Sequence, residues 1–405
     1  MDWMIIVVAT AVTFYLVFPG IGAFVVRARW RGFRRAMLAS SLLPTAGYGE
    51  SRRAREEENG TRLGSFRQFG MLQAIQGEDT IWIQSGDASL ACEMGRARVH
   101  ALATAAFEDP YRMEPPGGDR FPDVTPQALS WSRVSALAEG TKLFIAGPLF
   151  AEETHAVFRA DEESRPLVVF YDGPDKELLA RAVWGGRQRN EYWNRITPLS
   201  LPVGAIALLL IAFVISAVPF TRLPFLLAVC LASVPVLPLA PPGVLLFFTY
   251  RRLWRSGRFL RAQRDLLRLP LRGFRGGTDG ARETGYRLPN GEAYLKLPVS
   301  EDRVQSLLVA GAVLRTTTIA DLDRVGRQAY AFGSPREVRD QDSGSLGAPS
   351  DPMAEFVVVP DDPAFLARRC EREAQKRELL AVGLVGGGLA LNFYLALLLV
   401  SNLLP

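Results

Sequence analysis

Four long apolar runs carry no charge, and each is bordered on one side by a cluster of arginines, a pairing that limits the folds open to this chain. Trp3 to Val26 is the first run, Leu199 to Val218 the second, Leu223 to Tyr250 the third and Leu379 to Leu404 the fourth. At about 1.5 Å of rise per residue, roughly 20 residues cross a hydrocarbon core about 30 Å thick, so each run is long enough for a transmembrane helix. The first run has no basic stretch ahead of it and its arginines come after it, the pattern of a signal anchor and not of a cleaved leader. The third contains Pro224, Pro235, Pro238, Pro241 and Pro242. Proline removes a backbone N–H, so this run is expected to kink or break and to need neighbours for its freed carbonyls.

Charge sets an expected orientation. Arg27, Arg29, Arg31, Arg34 and Arg35 follow the first run, and Arg181, Arg187, Arg189 and Arg195 precede the second. The arginines from Arg251 to Arg275 follow the third, and Arg368, Arg369, Arg372, Lys376 and Arg377 precede the fourth. All four clusters share one side if the chain starts outside, and the positive-inside rule makes that side cytoplasmic. The expectation is a bacterial inner-membrane protein with both termini outside and two cytoplasmic bodies. The collars supply the candidate interface residues Arg27, Arg29, Trp30, Trp184, Arg187, Tyr192, Trp193, Arg251, Arg252, Trp254, Arg255 and Arg258. Their expected partner is an anionic lipid bilayer. Arginines recurring every three or four residues from Arg251 among Leu253, Trp254, Phe259 and Leu260 read as an interfacial amphipathic helix. In the last run, Gly383-x-x-x-Gly387 permits close helix packing within the chain or between copies in a homo-oligomer, and Asn392 and Tyr394 read as helix–helix hydrogen-bonding residues.

The net charge of +5 says little about the bodies themselves. Residues 50–180 carry 14 basic and 22 acidic side chains, and residues 276–367 carry 9 and 14, so the basic excess lies in the collars. With no basic stripe on a folded body, nucleic acid is not an expected partner. Cys92, Cys230 and Cys370 form no paired motif, and His100 and His155 stand apart, so neither a disulfide framework nor a metal site is expected. Phosphate-loop, nucleophile-elbow, zinc-protease and dinucleotide signatures are missing from the sequence, and no cofactor or catalytic residue is assigned. Gly276 to Gly280 reads as a linker, and Glu152-Glu153 and Asp161 to Glu163 as solvated turns.

Between the runs the period changes to two. A first body, residues 50–195, shows strand patterns from Leu63 to Leu102, with turns at Gly77-Glu78-Asp79 and Ser85-Gly86-Asp87. A long loop is expected from Glu108 to Gln127, then strands at Ser130–Leu137, Lys142–Phe150, His155–Arg159 and Leu167–Tyr171. The pattern suggests a small barrel or sandwich closed by a basic helix. A smaller second body, within residues 276–378, shows a hairpin over Tyr286–Leu297, a helix over Ser300–Val309 and strands at Val313–Ile319 and Gln328–Phe332. A polar loop over Ser334–Pro352 and a strand at Phe356–Val359 follow. The fold class expected is therefore an α+β membrane protein: helices at 3–26, 199–218, 223–250 and 379–404, an Arg-rich segment at 251–275, and two β-rich bodies.

A repeated stretch links the two halves. Asp175 to Glu191 and Asp362 to Glu378 both read D-x-x-(L/F)-L-A-R, a gap, then Q-(R/K)-x-E. Each follows a strand and leads into an apolar run, and Gly140-x-x-Leu143 has a counterpart in Gly311-x-x-Leu314. These matches are those of an internal duplication.

The stretch from Gly140 to Leu149, through Leu167 to Tyr171, to Leu178-Leu179-Ala180-Arg181 resembles the membrane-anchored GIDE domain, found after the first span in certain organellar ubiquitin ligases and in bacterial chains. Those ligases add a Cys-rich RING; this chain has three cysteines, so the resemblance does not carry ligase activity with it. Gly70 to Ile83 and Gly186 to Asn194 are similar to bacterial membrane proteins of no assigned activity. The functional expectation is a non-enzymatic scaffold that presents its bodies to a protein partner beside the bilayer. The alternatives are a lipid-handling or pore-forming protein, through the proline-broken run and the arginine collar, and a membrane-anchored enzyme with an unrecognised site.

Overall fold

A computed structural model describes residues 2–102 (without 42 and 87) and 125–267 (without 153, 154, 188, 189 and 220). It also describes 285–287, 293–295, 297–299, 329–333, 336–337, 346–347, 352–353, 356–359 and 363–403. The chain forms two compact units, one of Met1–Gly32, Arg187–Arg261 and Cys370–Pro405, the other of Phe33–Gly186 and Ala262–Arg369. The architecture is α+β, with a mixed eight-stranded sheet and three helices long and apolar enough to cross a membrane.

The β-rich unit is built on β1 (Arg62–Gln76), β2 (Thr80–Ser85), β3 (Ala88–Glu93), β4 (Arg98–Leu102), β5 (Gln127–Ala128), β6 (Lys142–Glu152), β7 (His155–Phe158) and β8 (Leu167–Tyr171). The sheet order is β1-β2-β3-β7-β6-β8-β4-β5, and β1 also pairs with β6, which closes a five-strand circuit of β1, β2, β3, β7 and β6. β1 serves two neighbours in turn: Arg62 to Met71 lie against β6, and Met71 to Gln76 against β2. Gly70 sits at the changeover. A Cβ there would lie 2.4 Å from Ile83 Cγ2 and 2.7 Å from the Gln84 carbonyl oxygen, so the approach requires a residue without one.

Leu72, Ile81, Ile83, Leu90, Leu143, Ile145, Leu149, Phe158, Val168 and Phe170 fill the core. β8, an unbroken apolar run, is buried along its whole length, as a strand covered on both faces should be. Ser130–Leu137, expected as a strand, instead contains a helical turn over Trp131–Val134. Trp131, Val134 and Leu137 recur every third residue, a helical spacing that places all three against the core.

In the second region, β9 (Gly285–Arg287) and β10 (Ala293–Leu295) pair antiparallel where a hairpin was expected. β11 (Leu297–Val299), β12 (Ala329–Gly333) and β15 (Phe356–Val359) form an antiparallel sheet. β13 (Arg336–Glu337) and β14 (Leu346–Gly347) pair within the stretch read as a loop. The expected helix at Ser300–Val309, the strand at Val313–Ile319, the Gly311-x-x-Leu314 match and the Gly276–Gly280 linker lie outside the described residues, as does most of the Glu108–Gln127 loop.

The helical unit departs from four simple rods. The first run is helical over Asp2–Val12, makes a π turn at Thr13–Val17 and continues as Phe18–Ser40. Thr197–Ser216 is a single helix. The third run is not: Arg222–Ala232 is one helix, Leu237–Leu239 a 3-10 turn, and Pro241–Leu267 a second helix that carries the arginine collar. Prolines at 235, 238, 241 and 242 remove the donors a continuous helix would need. The two copies of the repeated stretch also differ. The second lies in the Pro363–Leu403 helix, whereas the first makes a 3-10 turn at Asp175–Glu177 and a short helix, Leu178–Trp184, that stops at Gly185. Gly186 follows at φ 70°, a left-handed conformation that ends the helix.

Candidate functional site

Proline chemistry explains why polar side chains enter the helical unit. Pro19 has no N–H for the carbonyl four residues back, at Tyr15, and the π turn accommodates the mismatch. The Tyr192 hydroxyl donates to that Tyr15 carbonyl at 2.7 Å, and Ser200 Oγ donates to the carbonyl of Phe14. Asn194 Nδ2 donates to the carbonyl of Pro19 at 2.9 Å. The same remedy recurs in the third run. Pro241 leaves the Leu237 carbonyl short of its helical donor, and Asn392 Nδ2, buried at 2 % exposure, donates to it at 2.7 Å. Asn392 Oδ1 has no partner.

These segments converge on Arg258, whose side chain is 8 % exposed. Its Nη2 lies 2.9 Å from Glu191 Oε2, its Nε is 3.6 Å from Glu378 Oε1, and its guanidinium carbon is 4.3 Å from the centre of the Trp254 ring. Arg261 holds Glu378 with two hydrogen bonds, of 2.7 and 2.6 Å. Asn190 Nδ2 donates to the Tyr250 hydroxyl at 2.6 Å, and Arg377 donates to Ser256 Oγ. Burial pushes the Arg258 pKa below the usual guanidinium range, and the two carboxylates offset part of that shift. Glu191 and Glu378 are the final residues of the two copies of the repeated stretch, and both carboxylates approach the same arginine. The signal for this site was in the sequence as the shared Q-(R/K)-x-E ending.

The candidate interface residues therefore divide. Arg29, Trp193, Arg251, Arg252 and Arg255 are exposed, and Arg27, Trp30, Tyr192 and Trp254 are half-buried. Trp184 and Arg187 are buried, as is Arg258, so none of the three is a free anchor for lipid. Trp184 is held in the β-rich unit by the same short helix that buries Arg181. Gly383 and Gly387 have nothing within 4 Å of where a Cβ would stand; the glycine that packs within the chain is Gly388, against Leu246.

In the β-rich unit, polar groups are spent on local structure. Arg181 Nη2 reaches Asp172 Oδ1 at 2.6 Å and the Leu102 carbonyl at 2.9 Å. Asp175 accepts from the Tyr171 hydroxyl at 2.9 Å and from Lys142 Nζ at 3.1 Å. Together these fix the Asp172-Gly-Pro-Asp175 turn. Arg368, which matches Arg181 in the repeat, is exposed, so the two positions do different work. Near Trp82, the His155 ring lies 4.8 Å away and His155 Nε2 contacts Glu152 at 3.1 Å, while Arg159 Nε donates to Glu93 at 2.6 Å. The Glu93 bond raises the Arg159 pKa further. Among the described residues no group of three His, Cys, Asp or Glu side chains is placed to hold a metal. Compared with known proteins, the chain matches no family model, and no curated protein aligns with it.

Proposed function

We propose that this chain is a membrane-embedded, non-enzymatic scaffold that presents its β-rich unit to a protein partner beside the bilayer. The observation that carries this reading is the meeting of Glu191 and Glu378 at Arg258. Each carboxylate lies on a stretch that leads from one body into a membrane helix, so one buried cation anchors both. On this reading four segments cross a bacterial inner membrane, both termini are outside, and the GIDE-like layout describes the first body without any ligase activity. Tyr48 and Met71 are the exposed large apolar side chains among the described residues of the β-rich unit, and they mark its contact surface.

The test places a photo-crosslinking residue at Tyr48 or Met71 in native membranes. One discrete, stoichiometric protein adduct supports the scaffold. Adducts with lipid alone, or turnover of a small molecule by the isolated protein, would defeat it. The π turn at Thr13–Val17 and the break at Leu237–Leu239 favour a second reading, a lipid-handling or pore-forming protein. That reading requires conductance or lipid movement in reconstituted vesicles.

A further inference from the structure

The charges around Arg258 do not balance. Arg258 is matched by Glu191, and Arg261 by Glu378. Arg27 is close enough to lower the proton affinity of Arg258 through charge repulsion, yet it is half-buried and makes no hydrogen bond or ion pair of its own. Two further donors beside it are shielded from water and lack an acceptor: Trp254 Nε1 and Arg258 Nε. They belong to side chains stacked one helical turn apart. A half-buried cation without a counter-ion and two orphaned donors together describe a site that lacks an anion with several acceptor oxygens. Arg251, Arg252 and Arg255, exposed on the same helix, add an attractive field.

We propose that Arg27, Trp254 and Arg258 bind the phosphate of an anionic phospholipid headgroup. One unmatched cation selects a single negative charge, so the ligand class is a phosphodiester monoanion such as phosphatidylglycerol. Basic pockets between membrane helices take lipid headgroups in this way. The proposal rests on the chain being membrane-embedded and not on the scaffold reading, so either can fail alone.

The test uses the full chain, purified in a neutral detergent and titrated with phosphatidylglycerol, phosphatidylcholine or inorganic phosphate. Retained lipid is counted by native mass spectrometry. Saturable binding of one phosphatidylglycerol is expected, with Arg27→Gln weakening it about tenfold, as loss of a charge-assisted bond should. Trp254→Phe keeps the ring over Arg258 and removes only the N–H, so a several-fold loss is expected. Arg29→Gln, which removes a neighbouring exposed charge, should leave binding within about twofold, because an exposed charge is screened by solvent. Thermal unfolding of each variant checks that the fold persists, and Arg27→Gln leaves every ion pair of the cluster intact. Equal losses for Arg27→Gln and Arg29→Gln would reduce the site to diffuse attraction and overturn it. Equal affinity for phosphatidylcholine would do so too. Displacement of the lipid by millimolar inorganic phosphate would reassign the site to a free anion.

Discussion

Single side chains repair the backbone of this protein where proline has interrupted it. Tyr192 donates to the carbonyl that Pro19 leaves without a partner, and Asn392 does the same for Leu237. Hydrogen bonds inside membrane proteins are worth about 0.6 kcal/mol on average and reach roughly 1.7. Tyr192→Phe, which deletes only the hydroxyl, should therefore destabilise the helical unit by about 1 kcal/mol, read as a lower unfolding midpoint in a denaturing-detergent titration. No change would mean that the Tyr15 carbonyl finds another donor. A second residue-scale effect lies in the β-rich unit. His100 packs against Phe33 with ring centres 4.8 Å apart, and burial pushes its pKa below the ordinary 6.5. The unfolded chain then binds the proton first, so stability is full above pH 6.5 and falls as pH drops toward the lowered folded value. His100→Phe should flatten that acid-side loss in thermal melts between about pH 7 and 5; a variant with the same pH slope would remove His100 as the cause.

At the scale of elements, legibility followed the physics of each signal. β8 and β15 fall where the Leu167–Tyr171 and Phe356–Val359 runs placed them, because an unbroken apolar run bounded by turn residues permits little else. The turn of Trp131–Val134 was misread because a short apolar stretch supports either period, and only its packing chose the helix. Glu191 and Glu378 were read as the end of a repeat, but their shared partner was not legible, since nothing in sequence says which collar arginine turns inward. Arg258 does so because Trp254, one turn earlier, covers its guanidinium. The changeover of β1 between β6 and β2 is likewise a tertiary fact, visible beforehand only as a glycine in a strand. Gly70→Ala would press a methyl against Ile83 and the Gln84 carbonyl. Overpacking of this kind costs about 1–3 kcal/mol. The expected result is a melting temperature several degrees lower for the β-rich unit, with secondary structure retained in far-UV circular dichroism. An unchanged melting temperature would mean that β1 and β2 can separate without penalty.

For the whole molecule, the open matter is how many times the chain crosses the bilayer, and it turns on the third run. The Arg222–Ala232 helix, at about 1.5 Å per residue, spans only half of a hydrocarbon core roughly 30 Å thick. If it and the start of the Pro241–Leu267 helix cross together, the break between them lies within the membrane, and Asn392 is there to serve the Leu237 carbonyl. If they turn back instead, the Arg251 collar and everything up to the last helix move to the opposite side. The first arrangement keeps every arginine cluster on one face and is the one the charges favour. Cysteine accessibility separates the two. Cys92, Cys230 and Cys370 are buried and give little background. A cysteine at Asn402 should react with an impermeant maleimide added to intact cells, whereas one at Tyr48 should react only after the membrane is opened. Labelling of Tyr48→Cys from outside would invert the whole orientation. A protected Asn402→Cys with a protected Tyr48→Cys would mean that the third run re-enters. In that case the collar around Arg258 would face outside, where a headgroup site could draw only on lipids of the outer leaflet.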